Sequence, residues 1–127
     1  MRFEDLEIRV LRWADDKDLL HSENADKQFM KFMEEVFEFR DANTLYYNEC
    51  NGLYSEFDSY GEIESDSYLY TLEEDRKLEM GDIFVTLIIL CKQIGIDPVD
   101  CLSMAYEKIS KRTGKTINGT FVKESDL

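Results

Sequence analysis

The sequence predicts an all-α protein of the four-helix-bundle type. Three observations carry that prediction: apolar residues recur at helical spacing in four stretches, capping and stop signals bound most of them, and the 127 residues contain one Pro. With 43% hydrophobic and 13% aromatic residues, the chain is far from the composition of a disordered segment. Its length suits one domain with a single core, residues 1–127.

The first helix is expected from about Glu4 to Leu20, where Phe3, Leu6, Val10 and Trp13 share a face. Polar residues from His21 to Asn24 then break the pattern, and Ser22 or Asn24 can cap the second helix. In that second helix, about Ala25 to Ala42, Phe29, Phe32, Met33, Val36 and Phe37 form a full amphipathic stripe. Residues 43–70 have no sustained period, hold six of the seven tyrosines and include Gly52 and Gly61. They read either as a long loop or as an extension of the second helix followed by an irregular arm. Thr71-Leu-Glu-Glu74 looks like a capping box opening a third helix that stops at Gly95. Asp97 and Pro98 open the last helix and Gly114 ends it. Beyond it, Asn118-Gly119 between short β-prone runs suggests a small hairpin or an arm on a neighbouring subunit, within a tail of residues 115–127.

Fifteen Lys and Arg against 28 Asp and Glu give a formal charge of −13, which argues against capture of nucleic acid or of anionic membrane. The longest apolar run, Ile83 to Cys91, is about half of the roughly 20 residues that cross a bilayer. An acidic start in place of a signal peptide gives the expectation of a cytoplasmic protein. Cys50, Cys91 and Cys101 have no metal-ligand spacing, and the last two, set among apolar residues, are expected to be buried. From Ile83 to Leu90 the third helix is apolar on nearly every side, which calls for a surround that four helices seldom provide, hence a homo-oligomer, dimer or tetramer.

The acids on the second and third helices are placed for chemistry. Glu35 and Glu38 are three apart, as are Glu79 and Asp82, so each pair shares a helix face. If the helices pack side by side, four carboxylates converge, a reasonable arrangement around Mg²⁺. The alternative is a solvated acidic face, with Lys31 pairing with Glu35. On the third helix Asp75, Glu79, Asp82, Thr86 and Gln93 make one narrow polar stripe running into the apolar segment, and an acid entering such a segment needs a partner or a metal.

Gln28-Phe-Met-Lys31-Phe-Met-Glu34-Glu35-Val-Phe-Glu38, followed by Glu79-Met-Gly-Asp82 before an apolar helix, resembles the EExxE and ExxD motifs of MazG-like all-α nucleoside triphosphate pyrophosphohydrolases. The likeness extends to the first helix with Trp13, the Gly95-Ile-Asp97 break, the last helix with Lys108 leading to Arg112, and the tail. It implies a MazG-like bundle that hydrolyses a nucleoside or deoxynucleoside triphosphate to the monophosphate and pyrophosphate with Mg²⁺, Mn²⁺ being a possible substitute. It further implies metal ligands at Glu35, Glu38, Glu79 and Asp82, with Glu34 a nearby acid that orients or deprotonates the attacking water. Lys31 would bind a phosphate oxygen or pair with Glu35; Lys108 and Arg112 would reach the phosphates or form a solvated face. Trp13 would stack on a base or sit in the core, the core being favoured by its spacing. Gln28 would read a base edge or cap its helix, and His21 is read as a surface residue. One departure stands out: residues 43–70, acidic and Tyr-rich, exceed the connection expected between the second and third helices and read as an insertion.

A second function from a different class also fits the composition: a non-catalytic acidic helical protein that docks a basic partner. From Asp41 to Asp75 there are ten carboxylates and no Lys or Arg.

Overall fold

The computed structural model describes residues 1–51 and 62–127, the side chains of 62–66 excepted. Its described residues are mostly helical. Helix α1 (Phe3–Asp16) leads through a 3-10 turn (Ser22–Asn24) into α2 (Ala25–Asn51); α3 (Glu62–Ile94) and α4 (Pro98–Ser110) come next, then a hairpin of β1 (Gly114–Ile117) and β2 (Thr120–Lys123). They gather into two compact units, Met1–Gly95 and Ile96–Leu127.

Helix α1 is shorter than its apolar spacing suggests. It ends in a Schellman motif: Asp18 takes the left-handed conformation at φ 60°, its N–H bonds Asp15 O at 3.0 Å, and Leu19 N–H reaches back to Ala14 O at 2.9 Å. The reversal lets Leu19 offer its carbonyl to the Gln93 amide at 2.8 Å, tying the end of α1 to the end of α3.

Between the remaining two helices of this unit, the sequence reading needs correction on both sides of its expected insertion. Helix α2 runs on past Ala42 to Asn51, which is the helix-extension alternative, and α3 begins at Glu62. Thr71 is therefore no N-cap; it lies inside α3, and its hydroxyl donates to the Ser67 carbonyl one turn earlier at 3.1 Å. Residues in mid-helix imitate the S/T-x-x-E signature. The rest of the expected arm, residues 52–61, lies outside the described residues.

Helix α3 is the central element. It packs along α2, and its second half also meets α1. This explains its lack of a single polar face beyond Asp82: Ile88, Ile89 and Cys91 are buried in the chain's own core with Ala14 and Leu72. Phe84 meets Phe3 edge to face at 6.3 Å between ring centroids while remaining half-exposed. Gln28 on α2 donates its amide to the Thr86 carbonyl of α3 at 3.2 Å, so this side chain joins two helices rather than capping its own.

In the second unit, Asp97 caps α4 by accepting the Asp100 N–H at 3.0 Å, with Pro98 in the first turn as expected. The helix stops at Ser110, short of Gly114, which instead begins β1. A Cβ at Gly114 would lie 2.1 Å from the Val122 carbonyl oxygen, so only glycine fits that crossing. Asn118 and Gly119 have φ of 51° and 81°, the paired left-handed residues of a type I′ turn, and the strands pair antiparallel from Gly114 with Lys123 to Ile117 with Thr120. Cys101, expected to be buried, is exposed on α4.

Two substitutions check these corrections. Thr71→Ala should leave the melting temperature unchanged or raise it slightly, since an interior position gains from alanine, whereas loss of a true N-cap costs about 1 kcal/mol. Gly114→Ala should abolish amide-exchange protection in the hairpin and leave the protected amides of α2 and α3 as they are.

Candidate metal centre

The packing of α2 on α3 fixes where their acids meet. Lys31, Glu35 and Glu38 recur on one side of α2, and Asp75, Glu79 and Asp82 on one side of α3, each set at i, i+3 or i+4 spacing. Glu35, Glu79 and Asp82 each bring a carboxylate oxygen to within 4.8 Å of the others. These are residues that the sequence singles out, and they come from two helices 40 or more positions apart in the chain.

Burial distinguishes this cluster from an ordinary acidic surface. Glu35 is only 6% exposed, Glu79 is half-buried and Asp82 opens to solvent. Lys31 reaches one oxygen of Glu35 at 2.9 Å, but the other oxygen, Oε2, is buried with no hydrogen-bond partner. Oε2 of Glu79 is in the same condition. A buried carboxylate oxygen without a donor costs folding free energy, and two of them beside a third acid leave a pocket short of positive charge. Hard divalent cations take this kind of oxygen donor set.

The electrostatics agree. Burial raises the Glu79 pKa above the ordinary carboxylate value, Asp82, Glu35 and Asp75 raise it further, and Lys31 offsets part of the effect. Glu38 is raised first by its hydrogen bond to Glu35, then by repulsion from Glu35, by burial, and by Glu79 and Glu34. So Glu38 belongs electrically to the cluster, though it is exposed and outside the closest set of three oxygens.

The other sequence-predicted residues fall in different places. Lys31 pairs with Glu35 and also sits 3.6 Å from Glu34, an exposed side chain, which favours the ion-pair reading of this lysine. Gln28 spends its amide N–H on the Thr86 carbonyl. Trp13 is 51% exposed, so the core reading fails; with Leu6, Arg9, Val10 and Val85 it lines an apolar cleft of about 360 Å³ between α1 and α3. Val85 follows Asp82 by three residues, about one helical turn. His21 is a surface residue bonded to Asp18 at 2.5 Å. Lys108 and Arg112 belong to the second unit, at the end of α4 and just after it. Within the polar stripe of α3, Thr86 and Gln93 are buried and serve structure: the Thr86 hydroxyl donates to the Ile83 carbonyl and Gln93 to Leu19.

Sequence reading misses a second polar assembly on the same helix pair. Arg76 forks onto Glu73, at 3.0 and 3.2 Å, donates to Asn43 at 3.1 Å and lies 3.9 Å above the Tyr46 ring. Hydrogen bonds to Cys50 and Glu73 help push the Tyr46 phenol up to about 12. The signal is present as Arg76, the first base after the long acidic stretch, but its partner Asn43 lies beyond the end of α2 that the apolar period predicts.

Comparison with protein-family models, with curated proteins and with solved structures finds no match to this chain. No helix among the described residues is long and apolar enough to cross a membrane.

The raised carboxyls set a pH dependence with a definite sign. A group whose folded pKa lies above its unfolded value binds more protons in the folded state through that interval, so stability falls as pH rises through it. In chelator, chemical denaturation should show the protein losing stability as pH climbs from the ordinary carboxylate value through the raised Glu79 and Glu38 range. Added Mg²⁺ should raise the melting temperature near neutral pH and lose that effect as pH falls, because protons compete for the same oxygens. Glu79→Gln should stabilise the chelated protein and remove the Mg²⁺ effect.

Proposed function

We propose that this protein hydrolyses a nucleoside or deoxynucleoside triphosphate to the monophosphate and pyrophosphate, with Mg²⁺ held by Glu35, Glu79 and Asp82 and with Glu38 beside them. The observation that carries the reading is the buried Glu35 carboxylate with an unpartnered oxygen, facing two acids of α3. The order of motifs, Glu34-Glu35-Val-Phe-Glu38 before Glu79-Met-Gly-Asp82, supports the same reading through its resemblance to MazG-like enzymes.

A bound Mg²⁺ would supply charge neutralisation for the polyphosphate and Lewis acidity at the reacting centre. The chain's own residues supply the rest. Glu38, whose pKa is already raised, accepts a proton from the attacking water, since a base works best when its pKa approaches the working pH. Glu34, near Lys31 and open to solvent, orients that water. Water attacks the α-phosphorus, the bond from that phosphorus to the bridging oxygen breaks, and pyrophosphate leaves with the bond electrons. Lys31 holds Glu35 at 2.9 Å and keeps its carboxylate aimed. The cleft bordered by Trp13 and Val85 offers an apolar wall to the base, one turn of α3 beyond Asp82. Lys108 and Arg112 remain candidates for the phosphate tail by resemblance alone.

The test is a panel of ribo- and deoxynucleoside triphosphates with Mg²⁺, read as pyrophosphate and monophosphate released. Asp82→Asn and Glu38→Ala should each cut kcat/KM by at least about 100-fold with helicity retained, given that even outer-shell partners of a metal are worth about 10- to 100-fold. Trp13→Ala should raise KM far more than it lowers kcat. Absence of turnover on every nucleotide, together with no Mg²⁺ stabilisation, would overturn the proposal in favour of the acidic binding protein.

A further inference from the structure

Lys31 stands one helical turn before Glu35 and pairs along its own helix. Its ammonium reaches Glu35 Oε1 at 2.9 Å and Glu34 Oε2 at 3.6 Å, both residues of α2. Neither ion pair crosses to α3, so neither helps to hold the two helices together. A Lys placed before its Glu on a helix face is also the weaker of the two orientations, which makes helix stability a poor account of the pair.

What the lysine does is divide the carboxylate. Glu35 is almost fully buried; its Oε1 has the ammonium and its Oε2 has no donor. A cation entering the cluster therefore meets one unclaimed oxygen from Glu35, and ligation through both oxygens would require Lys31 to let go. Oε2 of Glu79 likewise lacks a donor, and Asp82 completes the set.

Hard cations use such a set differently. Mg²⁺ demands a near-ideal octahedron at about 2.0–2.1 Å and keeps several waters, whereas Ca²⁺ takes roughly six to eight oxygens at about 2.3–2.6 Å and readily accepts both oxygens of one carboxylate. Single oxygens from Glu35, Glu79 and Asp82 fill half an octahedron and leave the other half for water or a polyphosphate. The same three oxygens leave Ca²⁺ undersupplied.

We infer that Lys31 is a positioning residue that holds Glu35 to one-oxygen ligation and thereby sets a preference of the site for Mg²⁺ over Ca²⁺. The inference rests on the cation site proposed above and not on hydrolysis. Loss of the ammonium charge alone would strengthen both cations alike, since their charges are equal, while release of Oε1 favours the larger one. The ratio of the two affinities isolates the second effect.

Titration calorimetry with Mg²⁺ alone and with Ca²⁺ alone, on the full chain in mildly alkaline buffer, measures that ratio. Under those conditions Glu38 carries no proton with which to hydrogen-bond Glu35. Lys31→Met, at a half-exposed position, should raise Ca²⁺ affinity at least about tenfold more than Mg²⁺ affinity, the size of a typical outer-shell effect, with circular dichroism unchanged. Lys31→Arg keeps a cation at Oε1 and should keep the wild-type preference. A ratio that Lys31→Met leaves unchanged would overturn the inference, as would a wild-type preference for Ca²⁺. Wild-type protein that binds neither cation would overturn it together with the cation site. Because no nucleotide is present, these outcomes stand apart from the success or failure of the hydrolase reading.

Discussion

The antiparallel packing of α2 on α3 is the contact on which the first unit depends, and it forces like charges together. Apolar burial on α3 at Leu72, Ile88, Ile89 and Cys91 holds the helix in place, and the polar links from Gln28 to Thr86 and from Gln93 to Leu19 fix its rotation and its register. Once the register is set, Glu35 lies beside Glu79 and Asp82. The repulsion among them is smaller than the packing that opposes it, so it appears as raised pKa values and orphaned oxygens rather than as a broken helix.

The same helix pair carries a neutral counterpart to the acidic cluster. Around Arg76, a guanidinium, a carboxylate, an amide and a phenol satisfy one another: Glu73 and Asn43 accept from Arg76, whose plane covers the Tyr46 ring. Here the α2–α3 contact continues past the acids through an ion pair, hydrogen bonds and a cation–π contact. Both polar assemblies lie on the same scaffold, but only the acidic one leaves buried oxygens without donors.

Much of this is legible in the sequence for physical reasons. Helix spacing puts Glu35 with Glu38 and Glu79 with Asp82 on shared faces, so the acids converge if the two helices pack side by side; Glu35, Glu79 and Asp82 do so, and Glu38 stays outside the closest set. The hairpin is legible because Asn-Gly at a two-residue turn has a narrow conformational meaning. Failures come where a local signal has two uses. Thr71-Leu-Glu-Glu74 fits a cap or a mid-helix run, and only the neighbouring turn decides between them. The absence of apolar period across 43–51 and 62–70 suggests loss of helix, yet a helix pair held by Arg76, Asn43, Glu73 and tyrosines needs no apolar period. Trp13 has helical spacing with Leu6 and Val10, but spacing gives a shared face and not the thing that covers it.

The division of charge between the units bears on the proposed chemistry. A protein of net charge −13 repels a polyphosphate at long range, and at physiological salt that repulsion extends only about 8 Å from the surface. Inside that distance the local donor set decides. A cation held by Glu35, Glu79 and Asp82 would offset most of the negative charge at the mouth of the site, while the unneutralised acids elsewhere on the first unit would still oppose nucleic acid, whose many phosphates must approach a broad surface at once. Under the proposed function, acidity would act as a filter that a single small, metal-bridged triphosphate passes and a long polyanion does not.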